Sequence, residues 1–371
     1  MHEELSGVWI MAYTSIDDPS AYFHTQLFSG TGSSQSITND ANAGDLQPDW
    51  VWIKKRAGGT ARNSILTDST RGVTKCLSSA LNDAEFTNTN GLTAFGTDGF
   101  TVGSYDSVNE SSGTYVAWQW KANSGTTASN TDGTNITSTV QANTTAGFSI
   151  VTWTGTGTIS DTVGHGLGVT PHVVLAKERG GTDWWHMRHE SLGSTENLFL
   201  NETNASRNAT GGDYGGNIDG LTSSVFGFST NSGGNAVAVN DNTITNVAYC
   251  FTPIQGYSKF GSYTGNGNAD GPFIYTGFKP AWVIVKEYGA NTNDWNIYDS
   301  KRSVFNSMDD ILEANLSDAE GTGRADIDFL SNGFKQRNTH ADSNRNSGGF
   351  IYMAFAEHPF VSSEGVPTTA R

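Results

Sequence analysis

The chain has 371 residues, including 44 Gly, 19 Phe, 12 Tyr and 10 Trp, and its formal net charge is −16. Acidic residues outnumber basic ones, and the basic residues do not cluster. The positive patch needed to bind nucleic acid is therefore missing, and that function is excluded. No run of about 20 apolar residues occurs, so we also expect no insertion into a membrane.

Short aromatic and β-branched runs recur along the chain, separated by Gly, Asn, Asp and Ser. Such runs are typical of strands bounded by turns. No stretch longer than about ten residues has the 3.6-residue apolar period of a helix. The pattern predicts an all-β protein of the sandwich type.

One strand-like segment occurs three times in the sequence, as WVWIKKR from Trp50, VVLAKER from Val173 and WVIVKEY from Trp282. Each copy has four apolar residues followed by Lys and a charged residue. An apolar run of this kind, with a proline shortly before it, is typical of a buried strand. The prolines that precede the three strands are Pro48, Pro171 and Pro280.

Further landmarks align with this strand in every copy. Each copy has a Thr-Gly-type turn upstream, and each closes on an aromatic strand that contains Ala. Equivalent positions in successive copies are roughly 110–120 residues apart. This spacing is longer than a solenoid repeat and matches the length of a whole domain. Each copy is therefore expected to have its own core. A Gly-Phe step also recurs, at Gly99-Phe100, Gly227-Phe228 and Gly333-Phe334.

The alignment divides the chain into five segments. Residues 1–20 are predicted to form an N-terminal arm, and it stays open whether residues 1–10 are native or an upstream extension. Residues 122–135 are rich in Ser, Thr, Asn and Gly and read as a linker. The three predicted β-sandwich domains are copy 1 (21–121), copy 2 (136–254) and copy 3 (255–371).

Three tryptophans are candidates for stacking on sugar rings: Trp184, Trp185 and Trp295. The alternative for each is a place in a sandwich core, which we favour for any single Trp. Trp184 and Trp185 are adjacent in a predicted strand, so only one of them can face outward. His186 and His189 follow at an odd spacing, which places them on opposite faces and argues against a shared metal ion.

Signatures of enzymes are missing from the sequence. There is no nucleophile elbow, phosphate loop or zinc motif. The acids that recur between copies lie near turns beside basic residues, and no polar constellation suited to catalysis is repeated. Acidic, Asn- and Gly-rich loops suit Ca²⁺, but no calcium-loop spacing is present. We therefore predict a protein without a catalytic site, a metal site or a cofactor, and Ca²⁺ binding stays an open alternative.

The succession of Thr-Gly-x-Gly, Pro-x-Trp-Val-x-Ile-Lys, Asp-Trp, Asp-Ser-x-Arg and Asn-Gly-Phe resembles a repeated domain of tailed-phage virion proteins. It is similar to the form found in phages of marine bacteria and cyanobacteria, over about residues 12–360. The resemblance implies jelly-roll, concanavalin-like sandwiches. It also implies a tail fibre, spike or other appendage on the virion surface, which assembles as a homo-oligomer, with a trimer favoured.

Three functions stay open at this stage. The first is a non-enzymatic appendage protein that contacts other virion proteins and host surface glycans. The second is a capsid or neck decoration protein with no receptor role. The third is a glycan-depolymerising enzyme, which would need two carboxylates about 5–9.5 Å apart in a cleft.

Overall fold

The computed structural model describes residues 12–40, 45–208, 217–229, 239–289 and 293–368. It confirms an all-β, sandwich-like protein built from antiparallel sheets. The two α-helices in the described ranges, α1 (Asp106–Asn109) and α2 (Ala341–Asn344), have four residues each. No helix in these ranges is long and apolar enough to cross a membrane.

The strands follow the same order in the three copies. A 3-10 helix at Pro19–Ala21 precedes the first strand. Copy 1 and the segment after it contain β1 (Phe23–Ser29), β2 (Gln35–Thr38), β3 (Trp50–Ala57), β4 (Ile65–Asp68), β5 (Lys75–Cys76), β6 (Phe86–Thr87), β7 (Leu92–Gly96), β8 (Gly99–Val102), β9 (Thr114–Trp120) and β10 (Ala128–Asn130). Copy 2 contains β11 (Ser138–Asn143), β12 (Phe148–Thr154), β13 (Thr162–Gly164), β14 (Val173–Glu178), β15 (His186–His189), β16 (Glu196–Phe199), β17 (Arg207–Asn208), β18 (Asn217–Asp219), β19 (Val225–Ser229) and β20 (Thr245–Phe251). Copy 3 contains β21 (Ser258–Thr264), β22 (Phe273–Tyr275), β23 (Phe278–Glu287), β24 (Asn296–Asp299), β25 (Leu312–Glu313), β26 (Ile327–Leu330), β27 (Gly333–Gln336) and β28 (Gly349–Pro359).

Each copy has one main sheet and one small three-stranded sheet, and copy 1 also has the two-stranded sheet β5-β6. The main sheets contain the orders β1-β9-β3-β4, β12-β20-β14-β15 and β21-β28-β23-β24, so the predicted repeat strand lies inside the sheet every time. In copy 2 the sheet continues through β11 and β10 on one side and β16 and β17 on the other. The small sheets are β2-β8-β7, β13-β19-β18 and β22-β27-β26.

Both faces of the repeat strand are buried, because its side chains alternate between two cores. In β3, Val51 and Ile53 pack against the small sheet of copy 1. Trp50 and Trp52 point the other way, into a cluster that the three main sheets share. The same alternation holds in β14 and β23. The structure thus contains the one core per copy expected from the sequence, and in addition a central core common to the three copies.

Aromatic rings dominate the central core, and they join all the copies. Trp50 of copy 1 stacks on Tyr249 of copy 2, with ring centroids 4.1 Å apart. Trp120 of copy 1 packs edge-on against Trp282 of copy 3 at 5.7 Å. Between copies 3 and 2, the Trp295 indole N–H donates to the Phe199 carbonyl at 3.0 Å. Every pair of copies is in contact, so the three main sheets close into a ring around one core.

The lysine that ends the apolar run of the repeat strand is buried in each copy, and its hydrogen bonds explain why this residue type recurs. Burial lowers the pKa of Lys54, Lys177 and Lys286 to about 8. Their ammonium groups donate to backbone carbonyls: Lys54 reaches Leu316 of copy 3 at 2.5 Å, and Lys286 reaches Thr203 of copy 2 at 2.9 Å. Lys54 and Lys286 therefore connect two of the three junctions between copies, whereas Lys177 donates to the Glu178 carbonyl within copy 2, at 2.7 Å.

Two glycines of the Gly-Phe step are required by a close backbone approach. A Cβ on Gly99, whose φ is +116°, would lie 2.0 Å from the Ile37 carbonyl oxygen. A Cβ on Gly333 would lie 2.1 Å from the Ile274 oxygen. Gly227 has no comparable conflict, since its nearest neighbour is 3.4 Å away. The Gly-Phe step therefore reflects steric need in copies 1 and 3 only.

The predicted linker and arm are more ordered parts of the fold than their composition suggests. The linker contains β10, which pairs with β11, and three of its backbone N–H groups, those of Ala122, Ser124 and Gly125, donate to Asp49. Residues 12–20 of the arm lie on copy 3, and the Thr14 hydroxyl donates to the Gln255 carbonyl at 2.8 Å. Residues 1–11 lie outside the described ranges. Composition could not reveal these contacts, because each depends on a distant carboxylate or carbonyl.

Candidate functional site

Two of the three candidate tryptophans are core residues. Trp185 is 0% exposed and Trp295 is 1% exposed. Their indole N–H groups donate to backbone carbonyls of a neighbouring copy, Trp185 to Ser78 at 2.7 Å and Trp295 to Phe199. Neither ring offers a free face to a sugar, so both residues lie in the core, which the sequence analysis favoured over glycan binding for any single Trp.

Trp184 is the outward member of the adjacent pair. It is half-buried, and its ring packs on Phe199 with centroids 5.4 Å apart. His186 and His189 are both 0% exposed. Within the described ranges, no three His, Cys, Asp or Glu side chains come together in a way that could hold a metal ion.

His189 is a neutral imidazole fixed at the junction of copies 2 and 3. Its Nε2–H donates to the Tyr352 carbonyl at 3.2 Å, and its Nδ1 accepts from the Ser191 N–H at 3.2 Å. Burial lowers the pKa of His189 to about 4. A second proton on Nδ1 would oppose the Ser191 N–H, so acid should weaken this junction.

We expect a measurable loss of stability in mild acid. The folded pKa of His189 lies below its unfolded value of about 6.5. The contribution of neutral His189 to the free energy of unfolding is therefore complete above pH 6.5 and is lost as pH falls toward 4. Between pH 7 and pH 5 this amounts to about 2 kcal/mol of unfolding free energy. Urea unfolding across that range should show a flatter pH dependence for H189Q than for the exposed-site control H358Q. Identical slopes for the two variants would contradict this assignment.

A buried asparagine, which the sequence analysis did not identify, anchors the Thr-Gly-type turn in all three copies. In copy 1, Asn109 accepts from the Thr31 N–H at 2.8 Å through its side chain, and its own carbonyl accepts from Gly32 at 2.8 Å. The equivalent residues are Asn240 and Asn344. All are 0% exposed and bond mainly to backbone, which makes them turn anchors. Each asparagine lies five residues before the first residue of the closing strand of its copy, and this constant spacing was the signal that the sequence offered.

Copy 2 places two carboxylates where the other copies place an ion pair. Glu178 is 5% exposed and faces Asp241, and burial followed by the Asp241 charge raises the pKa of Glu178. Burial and the nearby Asp183 also raise the pKa of Asp241. The equivalent pairs are Lys55–Glu110 in copy 1 and Glu287–Arg345 in copy 3.

Replacing Asp241 with Arg should recreate the copy 3 arrangement in copy 2. We expect D241R to raise the free energy of unfolding at pH 7 by about 0.5–1 kcal/mol, because a repulsion becomes an attraction at a partly solvated position. D241N is the matched control and should give a smaller gain, from relief of repulsion alone. The measurement is urea unfolding at pH 7. Destabilisation by both variants would show that the two carboxylates do not repel each other in the native protein.

Two exposed aromatic residues form a face on copy 3 that the sequence analysis missed. Phe273 and Tyr275 are 46% and 48% exposed, and they alternate with the buried Ile274 along β22. Side chains two apart on a strand share a face, so the two rings lie on the outer surface of the small sheet. Because β22 pairs with β27, Lys335 stands directly opposite Phe273.

Polar groups surround the two rings. The Lys259 ammonium lies 5.1 Å from the Tyr275 ring centroid, within reach of a cation–π contact. The Tyr275 hydroxyl lies 3.1 Å from the Tyr13 hydroxyl, and Lys335 pairs with Asp270 at 2.5 Å. We call this group the copy 3 face: Tyr13, Lys259, Asp270, Phe273, Tyr275 and Lys335.

The aromatic pair is special to copy 3. Alignment of the small sheets on the Gly of the Gly-Phe step places Ser36 and Thr38 of copy 1, and Ser160 and Thr162 of copy 2, at the positions of Phe273 and Tyr275. The framework therefore tolerates small hydroxyl residues there, and the rings are not needed to build the sheet. An aromatic surface ringed by charged groups and hydroxyls can stack on a sugar ring and bond to its hydroxyls.

Comparison with known proteins gives a family and no function. No curated protein and no solved structure matches the chain. The family model of the domain of unknown function DUF7483 matches residues 18–359, which is most of the chain and includes all three copies. The chain therefore belongs to the family described as domain of unknown function DUF7483.

Proposed function

We propose that the chain is a non-enzymatic protein of a phage virion, displayed on a tail fibre, spike or other appendage, where it contacts glycans of the host surface. The proposal rests on two kinds of support. One is the resemblance of the repeated motifs to virion appendage domains. The other is the copy 3 face, the observation that carries the binding role.

The chemistry of the copy 3 face suits a carbohydrate. Phe273 and Tyr275 offer apolar ring faces of the size of a pyranose, and such rings bury much apolar area at little loss of conformational freedom. Lys259, Lys335 and Asp270 supply donors and acceptors within the same patch. Two exposed rings with a charged rim favour weak, repeated contacts, which a virion makes effective by displaying many copies.

A matched variant tests this role directly. F273S/Y275T carries the residues that copy 1 has at the same positions, so it should fold like the parent protein. Purified parent protein, incubated with host cells, should reduce adsorption of the phage, and the variant should compete at least about tenfold less well, which equals about 1.4 kcal/mol of lost binding. Thermal unfolding of both proteins controls for folding.

The other two functions predict different results in the same assay. A capsid or neck decoration protein would bind particles tightly and would not reduce adsorption to cells. A depolymerising enzyme would release reducing ends from host polysaccharide. Equal competition by parent and variant would remove the copy 3 face from the proposal. We further propose a homo-oligomer with a trimer favoured, which light scattering of the purified protein would test.

A further inference from the structure

The outer strands of the three main sheets are covered differently. In copy 2, β11 pairs with β12 and so extends the main sheet beyond it. In copy 1, β1 is the last strand of its sheet in the part of the chain that is described, and β21 holds the same position in copy 3. An uncovered edge presents unpaired backbone groups that can accept another strand.

The contacts of β11 show which kind of segment can pair with the edge strand of a main sheet. Gln141 of β11 lies opposite Ile150 of β12. Its side-chain amide donates across the junction to Ser69 and Thr70 of copy 1, at 2.9 Å each. The chain thus adds an extended strand to copy 2 and secures it with one carboxamide.

The same place at the junction of copies 1 and 3 is an open groove of about 530 Å³. Its walls include Phe23, His24 and Thr25, which are equivalent to the residues of β12 that β11 covers. They also include Ser300 and Lys301, the equivalents of Ser69 and Thr70. Copy 1 therefore has a position equivalent to that of β11, and no strand in the described ranges occupies it.

One buried hydrogen-bonding side chain in this groove lacks a partner. The Thr25 hydroxyl is buried, the residue being 4% exposed, and has no hydrogen bond in the described structure. The Lys121 N–H donates to the Tyr22 carbonyl at 2.9 Å. Because hydrogen-bonded pairs alternate in an antiparallel ladder, the backbone groups of Phe23, Thr25 and Leu27 point away from β9.

The rim of the groove is mainly acidic. Asp17, Asp18 and Glu357 line it beside Lys301 and two histidines, His24 and His358. Lys301 pairs with Asp40 at 3.0 Å and Glu357 with Lys279 at 2.9 Å, so Asp17 and Asp18 supply the unneutralised charge of the rim. Pairing of two copies of the chain through β1 would bring two such rims together. The described part of the arm does not run along β1 either, since Thr14 is held on copy 3 by the Gln255 carbonyl.

We propose that β1 is a docking site for an extended peptide segment of a separate protein, which adds to the sheet as an antiparallel strand. The segment has Gln or Asn facing Ser300, as Gln141 faces Ser69, and carries Lys or Arg beside the acidic rim. This interaction surface is independent of the copy 3 face and goes beyond glycan contact, because it would join the chain to another protein.

The test uses the full chain and a synthetic peptide with the sequence of residues 136–145, which contains Gln141, with a lysine added at each end to face the acidic rim. Fluorescence anisotropy measures binding, and hydrogen exchange measures protection of the Phe23, Thr25 and Leu27 amides. We expect saturable binding with protection at these amides. Changing the peptide Gln to Ala, or introducing S300Y to fill the groove, should each weaken binding at least about tenfold. F273S/Y275T, which alters a different face, should bind as the parent does.

Three outcomes would overturn the proposal. The first is no binding, or binding without protection of β1. The second is protection of the three amides in the free monomer, which would mean that the chain's own segment fills the groove. The third is protection that appears only as the protein self-associates, which would assign the groove to a second copy.

Discussion

Replacement of Trp282 with alanine should destabilise all three copies at once. The indole packs within the central core against Trp120, at 5.7 Å, and Phe355, at 5.9 Å, and the residue is 2% exposed. Truncation of a buried Trp costs about 3–5 kcal/mol, through lost transfer energy and the cavity that remains. Because the core is shared, the loss should appear as a lower midpoint of one cooperative unfolding transition.

The matched variant for this prediction is F334A. Phe334 is also fully buried, but it belongs to the core between the two sheets of copy 3. Hydrogen exchange under native conditions should show faster opening in copies 1, 2 and 3 for W282A, and an effect concentrated in copy 3 for F334A. Separate unfolding of copy 3 in W282A, with copies 1 and 2 unchanged, would contradict a shared core.

Loss of Arg302 should be the second large effect. Its side chain is 0% exposed and pairs with Asp299 at 2.5 Å and with Glu320 at 3.1 Å. Asp299 also accepts from the Trp118 indole of copy 1 at 3.0 Å. R302M leaves the buried Asp299 carboxylate without its cation, whereas Glu320 keeps Arg56 as a partner at 2.7 Å. Removal of one partner from a buried pair typically costs about 3–5 kcal/mol. Urea unfolding at pH 7 measures the loss.

Copy 2 provides the compensating variant. At the positions of Asp299 and Arg302 it has His189 and Leu192, which make no ion pair with each other. D299H/R302L should therefore be more stable than R302M, although it removes one more native residue. The surface control is R337M, since Arg337 is 41% exposed and its removal should cost about 1 kcal/mol or less. Equal losses in R302M and R337M would show that the buried network contributes little.

The repeat strand shows how far the sequence could predict this fold. Its apolar run and preceding proline correctly indicated a buried strand inside a sheet. A run with no polar residue until Lys, such as WVWI in β3, also signals burial on both faces. What covers the second face could not be inferred, because it depends on the closure of three sheets around one axis.

Less of the candidate site than of the fold could be predicted from the sequence. Trp185 and Phe273 are both aromatic residues in strands, and only the fold determines that one enters a junction between copies while the other faces solvent. A signal did exist for the copy 3 face. Phe273 and Tyr275 occupy the positions at which the other copies have Ser and Thr. This equivalence depends on which strand pairs with the strand of the Gly-Phe step, and the pairing is known only from the structure.

We propose that the chain is displayed on a virion for contact with the host. Antibodies raised against the purified protein, coupled to gold and imaged on purified phage particles from the source of the chain, test this proposal most directly. We predict label at the tail tip or fibre ends. Label confined to the capsid or neck would contradict the role in host contact, and particles without label would contradict display on the virion altogether.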